Sequence, residues 1–403
     1  MRQKNTFQMS FRFSGGQGMI EHCPLSHTFY EFFAGSGMVR AGLGDSWKCL
    51  FSNDLDDKKA AAYQENWGDG EILVEDVARL DSHQLPGQAD LAWASFPCQD
   101  LSLAGSGAGL KGNRSGTFWP FWNLVRELHH EGRRPKIVVL ENVCGALTSH
   151  NGADFRSLIK AFNSEGYRAG ALVIDAALFV PQSRPRLFIV GVRNDIEIDS
   201  HLVTERPQMP FHNAGVITAY RALPSANRAS WIWWNLPVPP ARTLKFSSVV
   251  ENDVPWHTDE QTRSILALMS PLHLAKLAVA KREKKMVVGT IYKRTRPDHQ
   301  GRRTQRAEVR FDDIAGCLRT PGGGSSRQTI VVVQGSKVRT RLLTPREAAR
   351  LMGLPDEYVL PKNYNDAYRL MGDGVVVPVV RHLSRYLLES LVQIKKSAIE
   401  QAA

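Results

Sequence analysis

From Thr28 onward, short apolar runs alternate with stretches of helical periodicity, and this alternation constrains the fold more than any other feature of the chain. Strands are expected at Thr28 to Phe33, Lys48 to Ser52, Asp90 to Ser95, Lys136 to Leu140, Ala171 to Ile174 and Leu187 to Val192. Helices fit between them at Asp56 to Asn66, Thr117 to His130 and Ala153 to Ser164. Strands separated by helices predict a doubly wound α/β domain on a parallel sheet, which binds ligands at the carboxyl ends of its strands. From about Asn194 the alternation is lost. Prolines, the tryptophans Trp231, Trp233 and Trp234 (expected to be packing residues) and a basic stretch take over, so a second, smaller domain is expected there. Near the end, Thr344, Pro345 and Glu347 read as a capped helix start, and a last amphipathic helix is expected from about Val379 to Val392.

The 403 residues, 43% of them hydrophobic, suffice for about two or three domains and exclude a disordered or fibrous chain. No apolar run approaches the ~18 residues of a membrane span, so no membrane partner is expected. Five cysteines, at 23, 49, 98, 144 and 317, show neither paired spacing nor a CxxC pattern. That argues against a disulfide framework or a metal site and for a reducing, cytoplasmic setting. The net charge of +11 favours a polyanionic partner. Most of the excess lies between Lys281 and Arg310, with eleven basic and three acidic residues. A phosphate-binding surface and a merely solvated basic face are the two readings of that segment.

Two strand ends carry chemistry. Phe33-Ala34-Gly35-Ser36-Gly37 closes the first strand, where bare glycines let backbone amides approach a ligand. Asp54, nineteen residues after Gly35, ends the second strand with a carboxylate suited to ribose hydroxyls. Arg40 stands where a dinucleotide fingerprint needs its third glycine, so an adenosine ligand without pyrophosphate fits better than NAD. A tight turn beside a surface aspartate is the plainer reading. Phe96-Pro97-Cys98-Gln99 follows the third strand and puts a thiol at the same edge, just before a glycine-rich stretch from Gly105 to Gly116. A nucleophile and an inert buried cysteine are both compatible with that address. Glu141, after the fourth strand, and Arg184 and Arg186 complete a set of thiol, carboxylate and guanidinium groups. Taken singly, they would equally suit a helix-start acid and a solvated turn.

Taken in order, these segments resemble the C5-cytosine DNA methyltransferase family over Thr28 to about Leu391. The blocks are FFAGSG (32–37), SFPCQDLS (95–102), ENV (141–143), QSRPR (182–186), RLLTPREAARLMGLPDEY (341–358) and GDGVVVPV (372–379). The resemblance implies an S-adenosylmethionine-dependent methyltransferase of the bacterial restriction-modification type, acting on a cytosine rotated out of double-stranded DNA. Its catalytic residues would be Cys98, Glu141, Arg184 and Arg186. Cys98 would attack C6, Glu141 would serve N3, Arg186 would hold O2, and Arg184 would help position the site. Phe33, Gly35 and Gly37 would line the cofactor, Asp54 would hold its ribose and Asp76 its adenine amine. Gln99, Ser102, Arg294, Arg296, Arg302 and Arg303 would contact DNA.

The implied division is an N-terminal extension (1–27), a catalytic domain (28–195 plus 366–403) and a target-recognition domain with its hinge (196–365). Monomer is the default state. Two departures stand out: Asp54 is shorter than the family's usual glutamate, and Asp373 replaces the usual asparagine in the last block. Methylation of RNA, and a catalytically silent nucleic-acid-binding regulator, are the alternative functions.

Overall fold

The computed structural model describes residues 27–97, 117–297, 300–320 and 327–393. These described residues form two compact units, one drawn from within 1–174, 185–239 and 379–403, the other from within 175–184 and 240–378.

The first unit is built on a seven-stranded sheet. Its strands are β1 (His27–Phe32), β2 (Trp47–Asp54), β3 (Ile72–Val74), β4 (Leu91–Ala94), β5 (Ile137–Val143), β6 (Tyr167–Asp175) and β7 (Pro185–Arg193). They lie in the order β3-β2-β1-β4-β5-β7-β6. All six expected strands are present. The sequence-based expectation of a wholly parallel sheet needs one correction: β7 runs antiparallel to β5. The nine residues between Asp175 and Pro185 are too few for the crossover that a parallel partner requires.

Strand order reverses between β1 and β4, and this reversal opens a crevice at their carboxyl ends. Every residue of β4 is buried, as expected where helices cover both faces of a sheet. The helices α1 (Met38–Leu43), α2 (Asp57–Trp67), α3 (Phe118–His130) and α4 (Ala153–Ser164) follow the helical pattern of the sequence. In α3, Phe118, Phe121, Trp122, Val125 and Leu128 recur at helical spacing and fill the core beside Phe155, Leu158, Ile159 and Phe162 of α4.

The unit boundaries differ from the expected division. Residues 196–239 belong with the first unit because their aromatic side chains pack on its sheet. Trp234 is buried and donates Nε1–H to the Val190 carbonyl at 3.1 Å, while Trp231 and Trp233 cluster with Tyr220. The tryptophans are packing residues, as the sequence suggested.

The second unit contains a four-stranded antiparallel sheet of β10 (Val287–Pro297), β11 (Arg303–Arg310), β12 (Thr329–Gln334) and β13 (Lys337–Leu342), in the order β11-β10-β12-β13. The two-residue strands β8 (Val203–Thr204) and β9 (Trp233–Trp234) pair with each other in the first unit. Ile291, Ala307, Val309, Val331 and Val333 line one face of the β10–β13 sheet and pack on the helices 259–267 and 271–282. Residues 366–378, expected in the catalytic domain, fall in this unit. There the Tyr368 hydroxyl accepts the Gln328 N–H, and the Gly372 and Gly374 carbonyls accept from Arg184.

The expected Thr344 cap is present as a capping box, with Glu347 reaching back to the Thr344 N–H at 2.8 Å. The same carboxylate accepts two hydrogen bonds from Arg341, and both side chains are almost wholly buried. A lone charge left in that interior would be uncompensated. Arg341→Ala and Glu347→Ala are each expected to destabilise the protein by about 3–5 kcal/mol, and the joint replacement Arg341→Met/Glu347→Leu by less than their sum. Urea unfolding midpoints check this.

Candidate active site

The exit of β1 is a strained turn. Phe33, which has a side chain to accommodate, adopts φ 57°, and Gly35 and Gly37 follow at φ 58° and 80°. At Gly37 a Cβ would also lie 2.3 Å from the Trp67 indole nitrogen, so glycine is required there twice over. Asp54, at the end of neighbouring β2, holds this turn: Oδ2 accepts the Gly35 N–H at 2.8 Å and Oδ1 the Asp56 N–H at 2.9 Å. Each oxygen has a second lone pair, so the carboxylate keeps acceptor capacity for a ligand hydroxyl. The Arg40 that breaks the dinucleotide pattern is a packing device. Its guanidinium lies over the Trp67 and Tyr63 rings and bonds the Tyr63 hydroxyl and Glu71.

Asn53, given no role by sequence reasoning, donates Nδ2–H to the carbonyls of Leu73 (3.1 Å) and Glu75 (2.8 Å). It thereby fixes the segment that carries Asp76, whose carboxylate caps the short turn Val77–Arg79. Phe33, Gly35, Gly37, Asp54 and Asp76 thus lie on consecutive strand ends of one edge.

Two strands further along, Glu141 lies in β5 two residues before its end, Arg186 is the second residue of antiparallel β7, and the register places Arg186 opposite Val143. Glu141 Oε1 lies 3.3 Å from Arg186 Nε, with the carboxylate side chain about 10% exposed. Asn142 was also overlooked. It is buried, and its Nδ2–H bonds the Phe96 carbonyl at 3.1 Å, tying the segment that leads to Cys98 to the strand that carries Glu141. A buried amide beside a strand-end acid was the available signal for it. Cys98, Gln99 and Ser102 lie outside the described residues.

Arg184 belongs to the second unit and is 2% exposed. It donates to the carbonyls of Leu318 (2.9 Å), Gly372 (2.8 Å) and Gly374 (2.6 Å). That makes it a positioning residue, clamping two chain segments of its unit. Gln182 does similar work, bonding the Leu351 carbonyl and the Leu318 N–H. Asp373, the departure in the last block, accepts a hydrogen bond from the Thr320 hydroxyl at 2.6 Å. A carboxylate suits that donor as well as an amide oxygen would.

A model of the C-5 cytosine-specific DNA methylase family matches residues 27–389. The chain belongs to that family. Its class is that of the DNA (cytosine-5-)-methyltransferases. The methylase is 25% identical over 384 residues to Type II methyltransferase M.HpaII of Haemophilus parainfluenzae, with 90% of each chain covered. It is 25% identical over 366 residues to Type II methyltransferase M.HhaI of Haemophilus parahaemolyticus, covering 90% of this chain and 94% of that one. Among solved structures, the fold is similar to S. pombe Dnmt2 methyltransferase (TM-score 0.55, 16% identity) and to Entamoeba histolytica methyltransferase EhMeth (TM-score 0.56, 14% identity). Each comparison covers 91% of this methylase and 99% of the other chain. Among the described residues, no helix is long and apolar enough to cross a membrane, and no group of three potential metal ligands occurs.

Glu31, the penultimate residue of β1, is fully buried, and burial pushes its carboxyl up to about 8 against the favourable charge of Arg40. In the unfolded chain the same group ionises near 4.5. Between those values the folded state binds more protons, so stability falls as pH rises. Glu31→Gln is expected to flatten this dependence, gaining melting temperature relative to the native protein from pH 5 to pH 8. Parallel melting curves would show that Glu31 does not titrate in this range.

Proposed function

We propose that this methylase transfers a methyl group from S-adenosylmethionine to C5 of a cytosine rotated out of duplex DNA, at a fixed short sequence, as the modification enzyme of a restriction system. The observation that carries the reading is the Glu141–Arg186 pair, held at the sheet edge that also carries the strained cofactor turn. The names of the Type II relatives support the restriction-modification role.

The β1 exit fits the cofactor. Bare glycine at positive φ leaves room for its methionine part, and Phe33 supplies an apolar ring for the adenosine. Asp54 offers acceptors to the ribose, and Asp76 to the adenine amine. When bound, S-adenosylmethionine supplies an electrophilic methyl carbon. The chain's part is to make C5 nucleophilic. The Cys98 thiolate bonds to C6, which shifts the ring electrons to C5 as an enamine. Glu141 hydrogen-bonds or protonates N3 and Arg186 holds O2, so that charge developing on the ring meets fixed partners. Arg184 positions the second unit's segments around its own carbonyl partners. After transfer, loss of the C5 proton restores the double bond and expels the Cys98 thiolate. A bound water can accept that proton.

In the second unit, Arg294, Arg296, Arg302 and Arg303 lie on or beside the β10–β11 hairpin, where they would meet DNA. If about six cations of 281–310 contact phosphate, log K falls with log salt at a slope near −5. Filter binding of duplex DNA across salt measures it, and a slope near zero would remove the phosphate role from this segment.

The deciding experiment is expression in a host without cytosine methylation, followed by bisulfite sequencing. Methylation at one short sequence is expected, absent in Cys98→Ala and reduced about 100-fold or more in Glu141→Gln. An S-adenosylmethionine-binding protein that leaves DNA unmodified but methylates structured RNA in competition would replace the DNA reading with the RNA one.

A further inference from the structure

Strand β12 pairs with β10 only over Val287 to Ile291, whereas β11 pairs with β10 from Thr290 as far as Pro297. From Tyr292 to Pro297, β10 therefore has β11 as its only strand neighbour among the described residues, and the sheet continues as a two-stranded ribbon of about 20 Å. Such a ribbon is marginal in water by itself, and its dimensions suit the major groove of B-DNA.

The ribbon's two faces differ. Ile291, Ala307 and Val309 point to the helix-covered side. Tyr292, Arg294, Arg306 and Glu308 share the other side, with Arg294 directly opposite Arg306. Two arginines facing each other across a ladder destabilise it unless an electronegative group lies against them.

Arg294 is braced. Its Nε lies 3.3 Å from Glu308 Oε2, and its guanidinium lies over the Tyr292 ring at 5.5 Å. Tyr292 is itself anchored, since its hydroxyl donates to the Cys317 carbonyl. A Cβ at Gly316 would come within 2.0 Å of its ring, so glycine is required for the ring to lie there. A phosphate contact needs no such bracing, and the Glu308 carboxylate repels phosphate. The pairing engages Nε, and the Arg294 side chain is 44% exposed, so the two terminal amino groups of the fork are the donors that would meet O6 and N7 of guanine.

We propose that the β10–β11 ribbon enters the major groove and that Arg294, braced by Glu308 and Tyr292, reads one guanine of the target sequence. This rests on the reading of the chain as a duplex-DNA methylase. The test is methyl transfer by the full-length native protein, Arg294→Ala, Arg294→Lys and Glu308→Gln to a randomised duplex library, with converted products sequenced.

The native protein is expected to require a guanine at one position or more. Arg294→Ala and Arg294→Lys should accept other bases at one of these, with a loss on the original site of about 10- to 100-fold. Glu308→Gln should relax the same position more weakly. Replacing that guanine by 7-deazaguanine should slow the native protein and leave Arg294→Ala unaffected. Arg294→Lys keeps the charge, so its salt slope should be unchanged while its discrimination is lost. Circular dichroism melting confirms that the variants are folded.

The proposal is overturned if the native target contains no required guanine. It is equally overturned if both Arg294 variants keep the full target sequence, with Arg294→Ala uniformly weaker and its salt slope reduced by about 1, the mark of a phosphate contact. A native protein that methylates no duplex at all overturns the underlying DNA reading and this inference together, a failure distinguished by its presence in the native protein.

Discussion

The hydrogen bonds between the Asp54 carboxylate and the amides of Gly35 and Asp56 set the shape of the sheet edge that carries the candidate site. A left-handed residue with a side chain, Phe33, stores strain of order 1–3 kcal/mol and persists only where its surroundings over-determine it. Asp54 supplies that constraint from one side, and the indole of Trp67, bonded to the Ser36 carbonyl, supplies it from the other. The shorter carboxylate at this position is thus committed to the backbone of the turn as well as available to a ligand.

The same economy recurs along the sheet edge. Asn53 secures the approach to Asp76, and Asn142 secures the approach to Cys98. Both use a side-chain amide to donate to backbone carbonyls, where an orphaned buried group would cost about 1–3 kcal/mol. Two of the proposed site residues, Asp54 and Glu141, are thus adjacent in sequence to an asparagine that fixes backbone.

Much of this was legible in the sequence, because apolar runs and capping residues report local structure directly. All six predicted strands and the Thr344 cap are present, and the second strand ends at Asp54 as expected. The reversed direction of β7 was not legible from apolar pattern, which is the same for either strand direction. Only the length of the link from β6 reveals it. Nor did periodicity show that 196–239 packs on the first unit, since Trp234 finds its partner, the Val190 carbonyl, 44 residues away in the chain. The role of Arg184 was blurred for a related reason. A motif shows that a guanidinium is needed and does not show whether its partners are substrate atoms or backbone carbonyls.

Those partners bear on how such a chain can evolve. The second unit is assembled from two separate stretches, 175–184 and 240–378, so exchanging the longer stretch by recombination leaves the shorter one behind. Arg184, the last residue of the shorter stretch, grips the longer one through the carbonyls of Leu318, Gly372 and Gly374. Every amino acid has that carbonyl. An incoming segment of quite different side chains can dock on the resident arginine provided its backbone follows the same path, so the unit can be exchanged as a cassette without a matching change in the shorter stretch.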